Sequence, residues 1–88
     1  MVEFESLVNN KIGMHLRAAG EFVKLANKFS SDILVIKNDK KANGKSILGL
    51  ASLAVGAGAT IKIRIEGTDE LEAKEALKEL IDQNFYEE

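Results

Sequence analysis

The sequence predicts an α+β fold in which helices cover one side of a mostly antiparallel sheet. Three observations carry this. The apolar period switches between two residues and about 3.6, giving the order βαββαβα. Each strand offers one clear alternating face, as expected where a sheet is covered on one side and solvated on the other. The chain has 88 residues, of which 45% are hydrophobic. That is the size of a single domain, residues 1–88, with a core of modest volume.

In the first strand Val2, Phe4, Ser6 and Val8 alternate with Glu3 and Glu5, and Leu7 blurs the end. Residues 9–13 read as a loop. A helix begins at Leu16, with Ala18, Phe22, Leu25, Ala26 and Phe29 on one stripe widened by Ala19 and Val23. Ser30-Ser31-Asp32 stop it. Ile33-Leu34-Val35-Ile36 reads as a well-buried strand. Asn38-Asp39 suit a tight turn, and Lys40 to Asn43 return as an edge strand whose lysines discourage pairing with other chains. Gly44-Lys45 break it, and Ser46 is placed to cap a short helix from Ile47. Gly56 to Ala59 end that helix. Thr60 to Glu66 is the clearest strand, with Ile61, Ile63 and Ile65 facing one way. Thr68 or Asp69 caps a last helix carrying Glu70 and Glu72 in its first turn and burying Ala73, Ala76, Leu77, Leu80 and Ile81. The tail after Gln83 is expected to fray.

Composition excludes several functions. The net charge is −2 and the basic residues are dispersed, which disfavours nucleic acid. Lys40 and Lys41, with Lys45 nearby, read as a solvated hairpin tip. There is no Cys, hence no disulfide and no thiolate nucleophile, and one His supplies too few ligands for a metal site. No apolar run reaches the ~20 residues of a membrane helix, and the opening MVEFESLV does not resemble a secretory leader. A cytoplasmic protein without a membrane anchor or a cofactor is the expectation. Gly56-Ala57-Gly58 lacks the Lys-Ser/Thr ending of a phosphate-binding P-loop.

The first helix poses the sharper problem. Between Lys11 and Phe29 the only Ser, Thr, Asp or Asn is Asn27, so the usual caps are missing where the helix opens, at His15. An isolated histidine is more commonly structural or merely exposed. Here it follows Gly13, stands at the unpaired donors of a helix start, and precedes Arg17, whose planar fork suits phosphate oxygens. A phosphoryl group on the ring would supply the absent cap.

These residues carry a resemblance. Gly13-Met14-His15-Leu16-Arg17-Ala18-Ala19 resembles the active-site segment of the HPr family, the histidine-containing phosphocarriers of the bacterial phosphoenolpyruvate-dependent phosphotransferase system. Ser46-Ile47-Leu48-Gly49-Leu50 resembles that family's second signature, the regulatory serine and the helix after it. Length, element order and the spacing from His15 to Ser46 match as well. The resemblance implies an open-faced β-sandwich: a four-stranded antiparallel sheet with three helices on one face. It implies that His15 takes a phosphoryl group on Nδ1, as pros-phosphohistidine, from phosphorylated enzyme I and passes it to IIA domains. Arg17 would steady the phosphate, and the backbone amides of Leu16 and Arg17 would bond it. This is a stoichiometric relay, not an enzyme with its own turnover. Ser46 becomes a candidate for phosphorylation by HPr kinase/phosphorylase, and Ile47, Leu48 and Ala51 for partner docking. Two departures stand out: Ala18 replaces the family's usual Pro, and Leu16 stands where Ala is commonest. They bear on which branch the protein serves, sugar uptake or a regulatory, nitrogen-related or incomplete system acting by protein binding. The competing classes are a domain that binds a metabolite reversibly and an interaction protein acting through Ser46 and the apolar helix. A monomer is the expectation.

Overall fold

The computed structural model describes residues 1–86. The described residues form β1 (Val2–Leu7), α1 (Leu16–Ala26), β2 (Asp32–Lys37), β3 (Lys40–Asn43), α2 (Ile47–Ser52), β4 (Thr60–Glu66), α3 (Glu70–Asp82) and a closing 3-10 turn, Asn84–Tyr86. The strands lie in the order β1-β4-β2-β3, and each neighbouring pair is antiparallel. This is the open-faced sandwich, with helices on one face.

Register follows the alternating pattern. Phe4 stands opposite Ile63, and Val35 opposite both Ile63 and Ala42. A one-residue slip would turn every one of these side chains to water, so burial fixes the pairing. The helices lay Ala18, Phe22 and Ala26 from α1, Leu50 from α2, and Ala73, Leu77 and Ile81 from α3 onto that face, forming one core. Each large side chain buried there contributes about 1.5–3 kcal/mol.

Five local details differ from the sequence expectation. β2 is not buried on both sides: Ile33 and Val35 point into the core, while Leu34 and Ile36 lie half-buried on the open face. α1 ends at Ala26, and residues 27–29 continue as tighter turns, with the Lys28 and Phe29 amides donating to Leu25 and Ala26 at 3.0 and 3.2 Å. Leu25 and Phe29 are consequently only partly buried. Ala76, expected in the buried stripe of α3, is also half-exposed.

Asp69 occupies the cap position of α3, but its side chain makes no cap hydrogen bond to that helix. Its carboxylate instead accepts from the Ser30 amide at 2.8 Å, the Ser31 amide at 3.0 Å and the Ser31 hydroxyl. It therefore fastens the start of α3 to the loop leading into β2. The Ser31 hydroxyl first, then the Ser30 amide, holds its carboxyl below the usual carboxylate range. Finally, the last two residues of the expected frayed tail lie outside the described residues, but residues 84–86 do not fray: Phe85 is buried in the core. Its burial is reached through three consecutive left-handed residues, Asn84, Phe85 and Tyr86 (φ 53–59°).

Candidate phosphoryl-accepting site

The approach to α1 is built before the helix starts. The Asn10 side-chain amide donates to the Gly13 carbonyl at 2.7 Å, closing the loop after β1. Gly13 has φ +70°, and a Cβ there would collide with the Val55 carbonyl oxygen. Only glycine allows both this conformation and this close approach. The Met14 amide then donates to that Val55 carbonyl at 2.8 Å, and the Met14 side chain enters the core. The segment preceding His15 is thus fixed on both sides, by its own loop and by the chain leaving α2.

His15 is the N-cap of α1, with extended backbone (φ −77°, ψ −177°), and its Nδ1 accepts from the Arg17 amide at 3.2 Å. The expectation of an uncapped helix is corrected here: the imidazole does what a Ser or Asp side chain does elsewhere. An N–H aimed at Nδ1 identifies that atom as the one bearing a lone pair, so in the neutral ring the proton resides on Nε2. The ring is partly exposed, and Leu16 and Arg17 beside it are exposed. The packed-inward arrangement that would exclude group transfer does not occur.

The electrostatic setting differs from that of α3. The first turn of α1 reads Leu16-Arg17-Ala18, whereas α3 carries Glu70 and Glu72 at the equivalent place. In α3 the protein's own acids answer the positive helix end; in α1 no acid does, which suits that end to an anion. First-turn amides have no acceptor within a helix. Those of Leu16 and Arg17, with the Arg17 guanidinium on the same turn, can surround a small anion attached to Nδ1.

α2 packs beside α1. Its sequence nearly encircles it with apolar groups, but only Leu50 within the helix is buried. Leu48 is 80% and Ile47 40% exposed, and Ala51 is half-buried. These three lie on one helix face, at i, i+1 and i+4. A six-residue helix has too little circumference under the sheet to bury them all, so this apolar face stays outside. Ser46 caps α2, its Oγ accepting from the Gly49 amide at 3.0 Å. The end of α2 tied to the His15 segment is the other one, at Val55. His15, Leu16 and Arg17 adjoin at the start of α1, and Ser46 belongs to the start of α2.

Two contributors escaped the sequence reading. Ile12 is 65% exposed, an apolar side chain three residues before His15; it belongs to no helical or strand period, so pattern gave no signal. Val55 acts through its carbonyl, which no side-chain pattern reports.

Comparison with known proteins gives one consistent result. The family model described as PTS HPr component phosphorylation site matches residues 2–83. A phosphocarrier protein HPr from Neisseria meningitidis serogroup A is 46% identical over 78 residues, 89% of this chain and 88% of that one. An HPr-like protein Crh from Halalkalibacterium halodurans is 49% identical over 83 residues, 94% of this chain and 99% of that one. The crystal structure of HPr-C-His from Thermoanaerobacter tengcongensis superposes with a TM-score of 0.96 at 49% identity, over 100% of this chain and 99% of the other. With its sheet order, its two signatures and this likeness along nearly all its length, the chain belongs to the HPr family of bacterial phosphotransferase-system phosphocarriers.

Proposed function

We propose that residues 1–88 act as one phosphoryl-relay domain, with His15 as the acceptor. The Nδ1 lone pair attacks the phosphorus of phosphorylated enzyme I; the N–P bond forms as the bond to the donor breaks. The Arg17 amide, released from Nδ1, turns its donor to a phosphoryl oxygen, and the Leu16 amide takes another. The Arg17 guanidinium offsets the added negative charge. Reversing these steps on a IIA domain returns the free imidazole with its cap. The protein is a substrate of its partners, not a catalyst with turnover, and works in the cytoplasm as a monomer.

The single observation supporting this is the Nδ1 atom held 3.2 Å from a helix-start amide. It holds the lone pair at the helix start, where a phosphate gains most from the backbone. Incubation with phosphoenolpyruvate and enzyme I, followed by intact mass measurement, tests it. One acid-labile phosphate is expected on the wild type and none on His15→Ala. A label that survives mild acid and persists in His15→Ala would overturn the assignment.

Docking of successive partners falls to Ile47, Leu48 and Ala51, with Leu16 beside the ring. Ser46 is the regulatory site, modified by HPr kinase/phosphorylase. A phosphate there adds about −1.5 to −2 charges at a helix start, which the fold tolerates, and sets like charge against acidic partners. A second reading, a regulatory HPr-like protein acting by binding alone, draws on the likeness to the Crh relative. It predicts that His15→Ala leaves every partner interaction and its output unchanged.

A further inference from the structure

The exit of α2 is an unusual piece of chain. The helix has no basic residue in its last turn, so its C-terminal carbonyls lack the local cation that commonly answers them. Ala54, immediately after the Leu53 cap, adopts φ +54°, a left-handed conformation that L side chains resist. Val55, next along, supplies the carbonyl on which Met14 is hung and against which Gly13 packs. A short helix ending in a strained residue is a weak support for the segment carrying His15.

The support comes from the sheet. Lys37, the last residue of β2, extends its ammonium to the Ala54 carbonyl at 2.7 Å and the Leu53 carbonyl at 3.3 Å. Both bonds are charge-assisted, and both act on the two peptide units preceding Val55. Lys37 is partly shielded from water, and the 16 and 17 residues separating it from its acceptors make this a tertiary clamp.

We propose that Lys37 is a positioning residue for phosphoryl transfer: its ammonium fixes the turn after α2 whose Val55 carbonyl seats Met14, and through Met14 the imidazole of His15. The inference rests on the relay reading given above. Lys37 touches neither the ring nor the phosphate. It acts by keeping the Val55–Met14 bond closed, so that Nδ1 stays aligned with the first-turn amides. An opening of that bond frees the residues ahead of the helix and lets the nucleophile wander, and misalignment of an attacking atom is costly to rate.

The test uses the full chain with Lys37→Met, Lys37→Arg and, as a control weakened at a distant tie, Asp69→Asn. Backbone amide exchange is followed by NMR, and phosphorylation by enzyme I is timed well below the melting temperature. In Lys37→Met the Met14 amide should exchange about 10-fold faster relative to core amides of β4, a local opening rather than global loss. The phosphorylation rate at saturating enzyme I should fall, also by about 10-fold, with KM little changed. Lys37→Arg, which keeps a charged donor, should restore both. Asp69→Asn should change neither. If Lys37→Met does not fold, Lys37→Gln replaces it, since its amide can still donate without the charge; an intermediate effect on both readouts is expected. Wild-type rates for Met14 exchange and phosphorylation in the Lys37 variants would overturn the proposal while leaving the relay intact. Absence of phosphate on the wild-type protein would instead sink the relay reading itself.

Discussion

His15 Nδ1 is a helix cap in the structure and, in the relay proposed above, also the nucleophile. In the structure its lone pair satisfies the Arg17 amide; in the proposed transfer the phosphoryl oxygens take over that donor. The exchange keeps a helix-start amide paired in both states, so neither state carries the full cost of an orphaned donor. Arg17 adds a planar, permanently charged fork, which a lysine cannot copy. Arg17→Lys should therefore slow phosphoryl acceptance by about 10-fold while leaving the melting temperature unchanged, measured by timed intact mass and by thermal unfolding. Gly13 answers to backbone sterics alone. With φ +70° and the Val55 carbonyl where a Cβ would go, Gly13→Ala should cost about 2 kcal/mol or more, read from urea unfolding. Full stability in that variant would mean that the loop does not pack on Val55.

Among the elements, α2 depends most on its neighbours. Six residues are far below the length at which a helix sustains itself in water. It is held by the Ser46 hydroxyl at one end, Lys37 at the other, and Leu50 inserted between them. The remaining apolar groups stay outside, where they can meet partners. Ala54 marks the cost of ending this helix abruptly. Ala54→Gly relieves the left-handed strain and should raise stability by about 0.5–1 kcal/mol in urea unfolding. The same element logic applies to the C-terminal turn. Phe85 leaves α3 through left-handed residues in order to reach the core. Its truncation, Phe85→Ala, should cost about 3 kcal/mol, and an unchanged unfolding midpoint would show that the turn is not docked in solution.

For the molecule as a whole, acid sensitivity has an identifiable source. The Ser31 hydroxyl and the Ser30 and Ser31 amides stabilise ionised Asp69, so its native pKa lies below the unfolded value near 3.8. Below that unfolded value the denatured chain binds the proton first. The contribution is complete above it and is lost as pH falls through the depressed native value. Glu70 behaves alike, held down by the Gly67 amide and then by the N-terminal ammonium 3.1 Å away. Both lie where α3 begins. The melting-temperature gap between wild type and Asp69→Asn should accordingly be full well above about pH 4 and narrow progressively as pH falls below the unfolded value near 3.8. A gap that stayed constant across that range would remove Asp69 as the cause.

Most of the architecture was legible in the chain itself. Alternation in Thr60–Glu66, the stripe of Ala18, Phe22 and Ala26, and the cap at Ser46 are periodic or local features, and local features are written in order along a sequence. The cluster of His15, Leu16 and Arg17 was legible for the same reason: its parts are adjacent. The misses share a cause too. Whether Leu34 and Ile36 meet water depends on what covers the second face of the sheet. That Asp69 ties down Ser30 and Ser31, that Lys37 caps a helix from a strand, and that Phe85 returns to the core are contacts between residues far apart in the chain. Sequence determined the elements and the chemistry available at His15, the proposed nucleophile. Tertiary structure alone decided how that nucleophile is held, because hydrogen bonds to backbone carbonyls such as Val55 depend on position in space and leave no mark in the side chains.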